Sequence, residues 1–195
     1  MLTFVTGNYG KYVSVKNKFS ESQINLNYYK CDLEEPNIND IDFISKTKAY
    51  QAYEKIKKPC FVSDTGFYVE DYPNHPNYPG AFAKRSGVST NIDQLLDTLK
   101  DTTNRHAYFL DCLTFYDGQK FYTFYGRSEG TIAFEKRGLS KKEAKSNLWL
   151  VFIPQNHHHT LAEMTDEELN NRHDNHTSAT DLFLKWYLNE YQKNK

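Results

Sequence analysis

Residues 60 to 70 read Cys60-Phe-Val-Ser-Asp-Thr-Gly-Phe-Tyr-Val-Glu70. The apolar run Phe61-Val62 stops at Ser63-Asp64-Thr65-Gly66, and aromatic and β-branched residues then resume. This pattern predicts a buried strand that breaks at a glycine and leaves a carboxylate at its carboxyl end. In open α/β sheets ligands lie outside those ends, which puts Asp64 where chemistry is usually done. The competing reading makes Asp64 the acceptor of an Asx-type turn that caps its own backbone.

Upstream, Leu2-Thr-Phe-Val-Thr6 is a short strand and Gly7-Asn8-Tyr9-Gly10 a turn. Lys11 then opens a helix with Tyr12, Val15 and Phe19 at helical spacing. Strand, glycine turn and helix N-terminus together make a candidate anion site, to which Lys11 adds a charge suited to phosphate. The GxxxxGK[ST] spacing of a Walker loop is absent. Residues 24 to 29 predict a second strand, followed by the acidic Asp32-Leu-Glu-Glu35-Pro36. A helix capped by Asn39 or Asp40 runs towards Lys57, with Ile41, Ser45, Ala49, Ala52 and Ile56 facing inward. Its small middle residues allow close docking on a sheet, and the β–α–β–α–β order predicts a layered α/β arrangement.

Downstream, Asp71 to Gly87 is a long Pro-, Asn- and Gly-rich loop of the kind that often carries function. Ser89 or Thr90 caps a helix bearing Ile92, Leu95, Leu96 and Leu99. Strands at His106–Tyr116 and Gln119–Gly126 flank Asp117-Gly118, a hairpin turn signal, and Glu129–Phe134 predicts one more strand. These antiparallel elements, about residues 106–134, suggest a second lobe within a single domain spanning residues 1–195. A strand at Trp149–Ile153 and a closing helix from Ser178 to Tyr191, burying Ala179, Leu182, Phe183 and Trp186, complete the chain. His157-His158-His159 reads as a polar loop, because adjacent residues on a strand point to opposite faces.

With 24 basic and 25 acidic residues the chain is nearly neutral, which gives no sign of a nucleic-acid partner. Aromatic side chains carry much of the apolar volume, with 15 Tyr and 13 Phe. Three scattered cysteines form neither a disulfide framework nor a CxxC pair, so a reduced, cytoplasmic protein is expected. The first residues predict a strand and not a basic n-region with an apolar h-region, so no signal peptide is expected. No apolar run approaches membrane-spanning length. Asp64-Thr-Gly also matches the aspartic-protease signature. That chemistry needs two carboxylates sharing a proton, and here the motif occurs once and is followed by bulky Phe67.

Taken together and in order, these motifs resemble the inosine triphosphate pyrophosphatase family, which acts on non-canonical purine nucleoside triphosphates. Thr6-Gly-Asn8-Tyr-Gly-Lys11 is similar to its Thr-x-Asn-x-x-Lys phosphate motif, and Ser63-Asp64-Thr65-Gly66 to its Glu-Asp-Thr-Gly. Tyr78-Pro79-Gly80-Ala-Phe-Ala-Lys84 resembles its substrate loop, and Gly126-Arg-Ser-Glu-Gly130-Thr-Ile with Arg137-Gly138 its central hairpin and turn. Thr160-Leu-Ala-Glu163-Met164 and Glu168-Leu169-Asn170 resemble its Thr-x-Ala-Glu-Met and Glu-Lys-Asn. The resemblance implies a mixed β-sheet with flanking helices and two lobes with the active-site cleft between them.

It further implies an Mg²⁺-dependent enzyme, commonly a homodimer, that cuts a nucleoside triphosphate to the monophosphate and pyrophosphate. Asp64 would be catalytic and share the metal with Glu35. Thr6, Asn8 and Lys11 would hold the phosphate tail, Lys84 would add a second positive charge, and Thr65 would be a further substrate-binding residue. Elsewhere the chain departs from the family pattern. Ser146-Asn-Leu-Trp149-Leu-Val-Phe152 replaces Gly-aromatic-x-x-Pro, Leu169 replaces a lysine, and Arg172-His173-Asp-Asn-His176 stands where Ser-His-Arg is expected. Arg172, His173 and His176 therefore become the candidate lining of a rebuilt base pocket. The alternative reading is a nucleotide-binding protein with altered base preference or lost catalysis.

Overall fold

The computed structural model describes residues 2–138, 146–170 and 178–194. The elements that build the sheet and its flanks are β1 (Leu2–Val5), α1 (Tyr9–Glu21), β2 (Leu26–Tyr29), α2 (Ile41–Ile56) and β3 (Cys60–Val69). They are followed by β4 (Tyr78–Gly80), α3 (Ile92–Thr98), β5 (His106–Tyr116), β6 (Phe121–Ile132) and β7 (Phe152–Pro154). Two further helices, α4 (Asp166–Asn170) and α5 (Ala179–Trp186), close the order. The strands hydrogen-bond in the order β2-β1-β3-β5-β6-β7, with β4 on β3. β1 is parallel to β2 and β3, whereas β4 and β7 pair antiparallel, so the sheet is mixed as predicted.

The chain divides into two compact units, one of Met1–Thr65, Asp111–Gly126 and Thr177–Lys195, the other of Gly66–Leu110 and Arg127–His176. In the first unit the pleat sorts neighbouring residues onto opposite faces. Phe4, Phe61 and Phe115 pack with Val15 and Phe19 of α1 and Phe183 of α5. Their neighbours Val5, Val62 and Tyr116 pack instead with Ala49 and Ala52 of α2. Helices therefore cover both faces, which is why residues 60–62 are apolar without alternation. Phe61 is central to the first layer: its ring stacks on Phe4 at 4.7 Å and lies 5.8 Å from Phe19 and 5.0 Å from Phe183.

α2 is capped by the Asp40 carboxylate, which accepts from the N–H groups of Asp42 and Phe43, and it buries Ile41, Ser45, Ala49 and Ala52 as the pattern predicts. The cap of α3 is Asn91, one residue beyond the predicted Thr90, and its side chain accepts from Gln94 N–H. α1 begins at Tyr9, two residues before Lys11, because Asn8 caps it.

Several expectations are corrected. β3 does not break at Ser63-Asp64-Thr65-Gly66 but runs on to Val69, so Asp64 lies within a strand and not in an Asx turn. Gly66 serves close approach: a Cβ there would meet the Tyr68 ring at 2.7 Å and Gly80 O at 3.1 Å. The 71–87 loop contains β4, which pairs Tyr78 with Val69 and Gly80 with Phe67. The two strands predicted around Gly126 and Glu129 are one, β6; Gly130 lets β7 lie against it, since a Cβ would collide with Ile153 O. Residues 147–150 form a single 3₁₀ turn started by the Ser146 hydroxyl, which shortens the predicted strand to Phe152–Pro154. α5 passes into a π turn at Tyr187–Tyr191, and Leu182 is exposed because the inward face follows Ala179, Phe183 and Tyr187.

In the second unit Phe67, Val69, Leu95, Leu99, Ala107, Ile132, Phe152 and Met164 share one core. Arg105, only 5 % exposed, donates to the carbonyls of Leu99 (2.5 Å), Ile132 (2.9 Å) and Ala133 (2.9 Å), and its guanidinium lies 4.5 Å from the Phe134 ring centre. It thereby ties the end of α3 to the end of β6. A lysine cannot reproduce that planar fork. Arg105→Lys is expected to lower the unfolding free energy by about 1–3 kcal/mol. Urea denaturation followed by tyrosine and tryptophan fluorescence measures it, and an unchanged midpoint would remove Arg105 from this role.

Candidate active site

The turn after β1 is built as its sequence suggests. Asn8 N–H donates to the Thr6 hydroxyl (3.1 Å), and the Asn8 side-chain oxygen accepts from Lys11 N–H (3.1 Å). Thr6 and Asn8 thus fix the N-terminus of α1, where the helix dipole favours an anion. Lys11 reaches across to β3, donating to Ser63 O (3.2 Å) and to the Thr65 hydroxyl (3.4 Å). The Thr65 hydroxyl in turn donates to Asp111 Oδ1 at 2.6 Å.

On the α2 side, the Lys48 ammonium is bracketed by two carboxylates. It donates to Asp64 Oδ1 and to Glu35 Oε1, the latter at 3.1 Å. Lys48 and Asp64 are nearly enclosed, with side chains 14 % and 13 % exposed, whereas Glu35 is 44 % exposed. Burial pulls the Lys48 ammonium down, but the two carboxylates outweigh it and leave its pKa above the ordinary lysine value. Asp64 Oδ2 is buried and accepts no hydrogen bond. An enclosed carboxylate oxygen without a partner is costly, and such atoms call for an explanation in the ligand.

Glu35 and Asp64 therefore converge on one cationic point, and one of their oxygens is orphaned. That donor set fits a hard divalent cation, which prefers carboxylate oxygens. Among the described residues no three His, Cys, Asp or Glu side chains gather around one point. Two carboxylates from the protein, with the remaining places left for phosphate and water, is the arrangement such cations favour at phosphate sites.

Within the first unit the structure gathers these residues in two groups: Thr6, Asn8, Lys11 and Thr65 at the start of α1 and, joined by Lys48 on the α2 side, Glu35 and Asp64. Lys84 belongs to the second unit, exposed in the turns after β4. Arg172, His173 and His176 lie outside the described residues. Sequence reasoning missed two members. Lys48 stands with Ser45, Ala49 and Ala52 on the inward stripe of α2, and a charge at that spacing was the available signal. Asp111 is a carboxylate between Leu110 and Cys112 in an otherwise apolar and aromatic part of β5, which was equally visible. The motifs Arg137-Gly138 and Thr160–Met164 turn out to knit the second unit together. Arg137 pairs with Glu163 at 3.1 Å, and Glu163 accepts from Thr160 N–H at 2.8 Å. Glu168 and Thr165 form a capping box for α4.

The profile of the Ham1 family matches residues 2–186. The chain belongs to the Ham1 family. A relative from Saccharolobus solfataricus, called dITP/XTP pyrophosphatase, is 34 % identical over 170 residues, covering 85 % of this chain and 83 % of its own. One of the same name from Aquifex aeolicus is 31 % identical, covering 87 % and 88 %. The Ham1 protein of Staphylococcus aureus superposes with a TM-score of 0.75 at 20 % identity, over 96 % of this chain and 99 % of that one, and so shares the fold. No helix among the described residues is long and apolar enough to cross a membrane.

Removing the Lys48 charge would leave Asp64 with no partner at either oxygen. Lys48→Met is expected to lower the stability of the metal-free protein by about 1–3 kcal/mol, less than a fully buried pair because Glu35 is half in water. Urea midpoints of the two proteins in chelator report this. A midpoint at or above that of the unsubstituted chain would mean that the pair does not hold the site.

Proposed function

We propose that this chain is a nucleoside triphosphate pyrophosphatase that removes non-canonical purine nucleotides, ITP, dITP and XTP, from the nucleotide pool. The observation that carries the reading is the enclosed Asp64, paired through Lys48 with Glu35, in a strand whose neighbouring residues Ser63 and Thr65 receive Lys11 from the Thr6–Asn8 turn. The names of the curated relatives support the substrate class.

In this reaction water attacks the α-phosphorus, the bond to the α,β-bridging oxygen breaks, and the nucleoside monophosphate and pyrophosphate leave. Thr6, Asn8 and Lys11 hold the phosphate tail through N–H and hydroxyl groups and one ammonium, and Thr65 serves the same substrate site by holding Lys11. Asp64 orients the attacking water and takes its proton, using a carboxylate that the sheet holds rigidly. Glu35 and Asp64 would hold Mg²⁺, which would supply charge neutralisation at the phosphates. Lys48 keeps the two carboxylates converged and adds positive charge beside the phosphates. Lys84 contributes a further charge to the tail, and Arg172, His173 and His176 line the base pocket; their places in the motifs support both assignments. The chain acts as a homodimer in the cytoplasm. The family resemblance supports the dimer, and three free cysteines suit a reducing compartment.

Pyrophosphate release from ITP, XTP, dITP, GTP and ATP in Mg²⁺ tests the reading. ITP, dITP and XTP are expected to turn over well above GTP and ATP, and chelator should abolish turnover until Mg²⁺ is restored. Asp64→Asn is expected to reduce turnover by about 10²–10³-fold with the fold retained. Binding of ITP without any turnover would instead leave a nucleotide-binding protein.

A further inference from the structure

We propose that Asp111 is a positioning residue for Lys11, acting through the Thr65 hydroxyl. The inference rests on the reading of Lys11 as a phosphate ligand. Asp111 is the only carboxylate in β5, half-buried beside the fully buried Cys112. A charge placed there is unfavourable unless something holds it. What holds it is Thr65, whose hydroxyl donates at 2.6 Å, the short range of a bond between a hydroxyl and a carboxylate.

A hydroxyl has one proton and two lone pairs. With the proton committed to Asp111, Thr65 offers Lys11 only lone pairs, and the ammonium donates into that oxygen at 3.4 Å. The same ammonium donates to Ser63 O at 3.2 Å. Lys11 therefore comes to rest on two acceptors of β3, and the direction of donation is fixed from Lys11 through Thr65 to Asp111. Each bond in such a chain polarises the next. Without the Asp111 charge the Thr65 hydroxyl can rotate and present its proton, which repels the ammonium. A lysine side chain is long and rotamer-rich, so ordering it before the ligand arrives removes part of the cost of binding.

The experiment measures binding of inorganic tripolyphosphate by calorimetry to the full chain and to Asp111→Asn, Thr65→Val, Thr65→Ser and the double variants. Asp111→Asn is expected to weaken binding about tenfold, the worth of one hydrogen bond to a charged group at its low end. On the Thr65→Ser background, which keeps the hydroxyl, the loss should persist. On the Thr65→Val background it should shrink to less than about twofold, because the relay is already cut. In ITP hydrolysis Asp111→Asn should raise KM by a similar factor and leave kcat within about twofold. Equal losses on all three backgrounds, no loss on the native background, or no binding of tripolyphosphate by the unsubstituted chain would each overturn the proposal. If Asp111→Asn fails to fold by circular dichroism, Asp111→Ser takes its place in the same cycle. Coupling without any ITP turnover would retain this inference and overturn the proposed function, whereas turnover without coupling would do the reverse.

Discussion

A carboxylate five residues into a largely buried strand needs a counter-charge, and the placement of Lys48 against Asp64 is the constraint on which the first unit depends. Cys60, Phe61 and Val62, just before it, are fully buried. Lys48 can reach Asp64 because α2 lies close to the sheet, and α2 lies close because its inward residues are Ser45, Ala49 and Ala52. Small side chains on one helix face are thereby converted into a charged contact on the same face. The unpartnered Asp64 Oδ2 shows that this contact neutralises charge without using the whole carboxylate. A group left in that condition suits chemistry better than stability.

The surrounding core is unusual in its materials but ordinary in its plan. Phenylalanine and tyrosine fill places that aliphatic residues commonly take, and their rings meet at stacked and tilted geometries. Phe4 and Val5, Phe61 and Val62, and Phe115 and Tyr116 each divide between the two helix layers, as the two-residue period of a strand requires. The second unit uses a different device, a buried guanidinium that satisfies three carbonyls at once.

Much of this was legible before any coordinates. The cap at Asp40, the apolar stripe of α2 and the β5–β6 hairpin follow from local preferences that need no distant partner. Asp64 stood out as well, because a carboxylate after an apolar run is locally anomalous. The strand boundaries were less legible. Gly66 read as a break, yet it is a place where another strand's backbone comes close, and only the partner reveals which role a glycine has. The motif Thr160–Met164, quoted only for its family resemblance, forms a hydrogen-bonded knot with Arg137.

By itself the sequence determined the order of the main helices and strands, the mixed α/β class and the prominence of Lys11 and Asp64, since those rest on periodicity and residue chemistry, while Thr6, Asn8 and Glu35 became candidates through the family resemblance. Tertiary structure alone decided that Lys48 bridges Glu35 and Asp64, and that Asp111 accepts the hydrogen bond of the Thr65 hydroxyl. The physical reason is separation along the chain. Asp111 and Thr65 are 46 residues apart, and Lys11 and Thr65 are 54 apart. No local preference encodes such pairs; they form when packing of α1, β3 and β5 carries their side chains to one place.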